Sequence, residues 1–221
     1  MHLEVLVEGT TELTALSILM SRIIGPYREP HTWTIHKHRG IGSLPEDPTA
    51  RPNPLDPTLL HNLPSKLRAY GKEDRADLLV VVLVDLDEHP DCRAFKQQLT
   101  GLLAWCDPKP NCLFRIAIEE LEAWYLGDRE ALLKAYPEAD PVKLEAYQQD
   151  SQCRTWETLA DILHPGGIGV RRTAGVTGKR SPSVLNHKML WARTIAPEMD
   201  VERNRSGSFQ CFRDGLRRLT A

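Results

Sequence analysis

The chain has 221 residues, 41% hydrophobic and 26% charged, which are ordinary proportions for a globular domain and argue against global disorder. No apolar run approaches the roughly 20 residues that a membrane span needs, and residues 1–5 lack the basic start and apolar stretch of a signal peptide, so a cytoplasmic location without membrane attachment is expected. The formal charge of −2 hides an asymmetry: residues 165–221 carry eleven Lys/Arg against four Asp/Glu, and the remainder seventeen against twenty-six, an acidic portion able to hold a cation followed by a basic one suited to a polyanion.

Residues 2–8 are rich in Val and Leu and stop at Gly9, which reads as a strand entering a tight turn. Thr10, Thr11 and Glu12 offer capping hydroxyls and an early acid; Leu13, Leu16, Leu19, Met20 and Ile23 follow at helical spacing until Gly25-Pro26. A second strand is expected at 32–38, a long Pro-, Asp- and Gly-rich loop at 40–57, and a helix at 59–70. Asp77 then introduces Leu78-Leu79-Val80-Val81-Val82-Leu83-Val84, the mark of a central strand buried on both faces. It ends at Asp85-Leu86-Asp87. Helical spacing returns at 92–105, a strand at 113–118, and helices at 119–126 and 129–136. After Pro137 the pattern is helical, at 141–149, 155–163, 183–195 and 208–219, interrupted by a Gly-rich basic loop at 165–182. The expected architecture is α/β: a mostly parallel, Rossmann-like sheet flanked by helices over 1–136, with a basic helical C-terminal extension over 137–221 packed on it. The five scattered cysteines contain no CxxC pair and read as neither a zinc site nor a disulfide framework.

Ligands of open α/β sheets bind beyond the carboxyl ends of the strands. Glu8 ends the first expected strand, and Asp85 and Asp87 end the central one. On an extended backbone the i, i+2 spacing of Asp85 and Asp87 turns both side chains one way. Acids that close repel unless a cation lies between them, and hard carboxylate oxygens suit Mg²⁺ or Mn²⁺. Such an ion supports phosphodiester chemistry on a nucleic acid, DNA or RNA. Glu122, with Glu119 three residues earlier, is a candidate further ligand; the competing reading is a pair of acids favourably placed at a helix start. Lys179, Arg180 and Lys188 are candidate phosphate contacts, as are Ser206 and Ser208 at the start of the last helix, where plain capping competes. Gly175–Arg180 fails the Walker pattern, with Thr173 at the first Gly position and Arg180 in place of Ser/Thr.

Val7-Glu8-Gly9-Thr10-Thr11-Glu12, joined to Asp85-Leu86-Asp87, resembles the TOPRIM domain of topoisomerases, primases and OLD-type nucleases. More narrowly, the chain is similar to a TOPRIM-like set, family 4276 of the domains of unknown function. That likeness is carried also by Ile118 to Asp128 around Glu122-Ala123-Trp124, by Lys188 with Trp191, and by Ser206-Gly207-Ser208-Phe209 with Phe212. The resemblance implies Glu8 as a metal ligand or general acid/base, Asp85 and Asp87 as metal ligands, and Glu12 as a ligand of a second metal. It also implies a metal-dependent nuclease acting in phage defence beside an ATPase partner. Two readings compete: a non-catalytic metal- or nucleotide-binding module that regulates such an ATPase, and a haloacid-dehalogenase-like phosphatase, which also uses Asp-x-Asp at a strand end.

Overall fold

The computed structural model describes residues 1–73, 75–87, 89–151, 155–164 and 182–221. Its sheet contains β1 (His2–Val7), β2 (Thr32–Lys37), β3 (Leu78–Asp85) and β4 (Cys112–Ala117). The order is β2-β1-β3-β4, and every neighbouring pair is parallel. Parallel neighbours need crossovers, and α1 (Thr10–Ile24), α2 (Leu59–Gly71) and α3 (Cys92–Gly101) supply them. After β4 come α4 (Glu122–Leu126), α5 (Arg129–Ala135), α6 (Pro141–Ala146), α7 (Thr155–Leu163), α8 (Pro182–Ile195) and α9 (Gly207–Thr220). This is a Rossmann-like α/β fold with C-terminal helices, as the alternation of patterns predicts.

The side-chain period of two divides each strand between two cores. Leu3, Val5, Val7, Leu79, Val81 and Leu83 join α1, α4 and the helices α7 to α9 in one cluster. Leu6, Val80, Val82 and Val84 join α2 and α3 in the other. β3 lies between β1 and β4 with a layer on each face, so all of Leu78–Asp85 is buried. That arrangement is why its sequence is a continuous apolar run rather than an alternating one. Among the described residues, no helix is long and apolar enough to cross a membrane.

The strand order reverses between β1 and β3: the chain leaves β1 for β2 on one side, then crosses back to β3 on the other. This switch point opens a crevice beyond the carboxyl ends of β1 and β3, where Glu8 and Asp85 stand.

Three local expectations are corrected. The cap of α1 is Gly9, not a threonine hydroxyl: Thr10 is already helical and no side chain caps the helix. Asp87 has φ +50, so it is not a continuation of extended strand, and i, i+2 alternation does not orient it relative to Asp85. The helix expected from Glu119 begins at Glu122; Glu119 has φ +68 and its carbonyl accepts the Asp87 N–H at 2.9 Å. Helical spacing therefore does not relate Glu119 to Glu122.

The C-terminal helices share the first core rather than standing apart from it. Trp124 is fully buried, its Nε1 donates to Ser208 Oγ at 3.0 Å, and its ring meets Phe209 and Phe212 edge-on or tilted at 5.3 and 5.2 Å. Asn204 Nδ2 donates to the Trp124 carbonyl at 2.7 Å, and Arg205 N–H to the Gly127 carbonyl at 2.8 Å. Gly127 has an ordinary φ of −68, so its requirement is space alone. A Cβ there would fall 2.3 Å from Asn204 Oδ1 and 2.9 Å from the Ser206 nitrogen. Gly127→Ala should therefore cost about 2–3 kcal/mol, read as a lower urea midpoint with an unchanged slope; a midpoint equal to that of the parent chain would contradict this packing.

Candidate metal centre at the switch point

Successive N–H groups along a strand point to opposite neighbours. The Leu86 N–H goes to the Ala117 carbonyl beside β4 at 2.9 Å, so that of Asp85 faces β1, where the strand has already ended. Glu8 takes it: its Oε1 accepts the Asp85 N–H at 2.8 Å. The carboxylate of Asp85 is itself buried, and its Oδ1 accepts the Leu121 N–H at 3.1 Å. The two acids thus tie β1, β3 and the entry to α4 together at one point.

Glu12 is the third residue of α1, and a Cβ on Gly9 would lie 3.2 Å from its Oε2. The absence of a side chain at Gly9 lets the Glu12 carboxylate fold back over the start of the helix. Glu8, Glu12, Asp85 and Asp87 all line one cavity of about 530 Å³. Gly9, Thr10 and Thr11 line it from the helix start, and His38, Arg39, Gly40 and Ile41 from the end of β2. Leu185, Asn186, Lys188 and Met189 wall it from α8. His38 Nδ1 donates to the Val7 carbonyl at 2.8 Å, which leaves Nε2 as the acceptor of the neutral ring, and burial holds its pKa below the ordinary histidine value.

Behind this wall lies a buried polar layer. Lys188 Nζ stands 3.1 Å from Glu122 Oε1 and 3.6 Å from Glu120 Oε2, and all three residues are buried. Lys188 therefore reaches both the cavity and Glu122. Glu119 is turned elsewhere, accepting from Tyr147 Oη at 3.0 Å and from Thr155 Oγ1.

The structure thus brings Glu8, Glu12, Asp85, Asp87 and Lys188 to one cavity and seats Glu122 one step further in. Ser206 and Ser208 are not brought there. Ser206 caps α9, accepting from the Phe209 N–H, and Ser208 accepts from Trp124; both are buried. Lys179, Arg180 and the basic loop lie outside the described residues. Arg39 is a cavity residue that the sequence reading left out, and His38, whose sequence setting reads as a surface or structural histidine, lines the cavity too; both follow β2 at the same rim as Glu8.

As donors, the four rim carboxylates offer only hard oxygen. Among the described residues, no three His, Cys, Asp or Glu form a group able to hold a metal ion.

The profile of the family described as "Domain of unknown function (DUF4276)" matches residues 7–219, from the end of β1 into α9. Neither the curated proteins nor the solved structures yielded a match. The rim acids, the Trp124 region and the α9 entry all fall within the matched span, and the chain belongs to the DUF4276 family.

Proposed function

We propose that this chain hydrolyses phosphodiester bonds of nucleic acid with a divalent cation, Mg²⁺ or Mn²⁺, held by Glu8, Asp85 and Asp87 in the manner of a TOPRIM nuclease. The observation that carries the reading is the contact between Glu8 and Asp85 at the switch point, within a cavity that Glu12 and Asp87 also line. On this reading Glu8, Asp85 and Asp87 would hold the cation through their carboxylate oxygens. The ion supplies charge neutralisation of the scissile phosphate and a more acidic bound water.

The chain's own groups do the rest. The N-terminus of α1, with no side chain capping it, presents N–H groups that favour a phosphate. Arg39, exposed at the cavity mouth, offers a planar fork of donors to a second phosphate oxygen. His38 Nε2 is the neutral proton acceptor on the wall. Ile41, Leu185 and Met189 give an apolar surface for a base or sugar. Lys188, paired with Glu122 and Glu120, orients its two partners and contributes positive charge at the cavity edge. A role beside an ATPase in phage defence belongs to the same reading.

A second reading, a non-catalytic regulatory module of an ATPase complex, is favoured by the lack, among the described residues, of three acids grouped to hold a metal and by the structural bond that Glu8 makes. Catalysis decides between them. Asp85→Asn and Glu8→Gln are the informative variants, because each keeps an acceptor oxygen for the Leu121 or Asp85 N–H. With Mg²⁺ or Mn²⁺ and labelled single-stranded DNA, duplex DNA and RNA, the parent chain should cleave at least one substrate. Each variant should lose activity by about a hundredfold or more while keeping its circular dichroism spectrum. Cleavage that both variants retain, or none by the parent chain with its partner present, would overturn the nuclease reading. Ser208→Ala is the contrasting case. It removes the acceptor of a buried indole N–H and should lower stability by about 1–2 kcal/mol in thermal unfolding, while cleavage per folded molecule stays at the parent level.

A further inference from the structure

Thr11 and Glu12, side by side in the first turn of α1, both line the switch-point cavity. They are 4% and 8% exposed. Among the described residues, neither the Thr11 hydroxyl nor the Glu12 carboxylate has a hydrogen-bond or ion-pair partner. Glutamates so deep are nearly always paired, and a buried acceptor left without a donor carries a cost. The cavity beside them, about 530 Å³, has the size of a small-molecule pocket. Ile41, Leu185 and Met189 make one part of its lining apolar. Elsewhere Glu8, Glu12, Asp85 and Asp87 line it against Arg39 and Lys188, which favours a ligand edge of N–H donors over an edge of acceptors.

We infer that the cavity takes a guanine base and that Glu12 is the residue that selects it. Of the nucleic-acid bases, only guanine sets two N–H donors side by side, at N1 and N2, and a carboxylate accepts from both at once. Next to N1 guanine carries the acceptor O6, and next to Glu12 the chain carries the Thr11 hydroxyl, a donor. Adenine and cytosine put a ring acceptor beside their amino group, and uracil and thymine flank one N–H with two carbonyls. Each of these turns a lone pair towards the carboxylate. The base lies against Ile41, Leu185 and Met189, and the Arg39 fork at the mouth takes a phosphate. The inference rests on the nucleic-acid part of the reading above and needs no cation.

The test uses the full chain, with EDTA present so that no divalent ion contributes, and titrates GMP, IMP, XMP and AMP by calorimetry. GMP should bind about 10–100-fold more tightly than AMP or than IMP, which lacks the N2 amino group. Glu12→Gln should reverse the order of GMP and XMP, because its amide accepts from N1–H and donates to the O2 of xanthine. Thr11→Val should weaken GMP by about 2–10-fold and leave the order of the four unchanged. The series on the parent chain decides even where a variant fails to fold. Oligo-dT carrying one guanine, beside the same strand carrying hypoxanthine, separates the sources: a preference there assigns the base to a nucleic acid, and a preference for GMP alone assigns it to a free nucleotide. GMP bound no better than IMP and AMP, or bound alike by the parent and Glu12→Gln, overturns the inference. So does N-acetylarginine amide bound as tightly as GMP, which would mark a site for a guanidinium. Cleavage of nucleic acid with Mn²⁺ and no guanine preference overturns the inference and leaves the nuclease reading standing. Guanine-selective binding through Glu12 in a chain that cleaves nothing does the reverse.

Discussion

The bond from the Asp85 N–H to Glu8 is the constraint from which the rest of the site follows. It exists because β1 stops at Val7 while β3 runs on to Asp85, leaving a strand N–H with no ladder carbonyl to meet. A glutamate at that place satisfies the backbone and, in doing so, brings a charge to the buried end of β3. Asp85 adds a second charge and spends one oxygen on the Leu121 N–H. Backbone pairing therefore gathers acids that Coulomb repulsion would otherwise disperse.

The surroundings are consistent with a site held under tension. Asp87 and Glu119 both take left-handed backbone conformations and are joined by a hydrogen bond. Such conformations cost energy for residues other than glycine, and they persist where the neighbouring structure fixes them. The buried ion pair of Lys188 with Glu122 needs a similar justification. Two charges removed from water gain little in stability, and this pair spans the gap between α8 and α4 at the cavity wall. Stability in this chain comes from the two apolar layers; the polar groups at the switch point define shape and charge.

The layers were legible in the sequence because they obey a single period. The run from Leu78 to Val84 announces a strand covered on both faces, and the spacing from Leu13 to Ile23 announces the helix beside it. The meeting of Glu8 with Asp85 could be anticipated from the rule that ligands gather beyond strand ends. That rule, applied equally to β2, would also have pointed to His38 and Arg39. What could not be read was anything set by a single turn. The positive φ at Asp87 and Glu119 breaks the periodicities on which their neighbours were judged. Ser206 and Ser208 have the residue types of a phosphate-binding helix start, yet Trp124 and the Phe209 N–H claim them.

The central claim is that acids from separate elements serve one cation at the β1/β3 crevice. Its most direct test is a crystal of the full chain grown with Mn²⁺, examined by anomalous scattering. The account predicts a single strong anomalous peak coordinated by Glu8 and Asp85, with Asp87 turned towards it. Saturating Mn²⁺ with no peak in the crevice would contradict it.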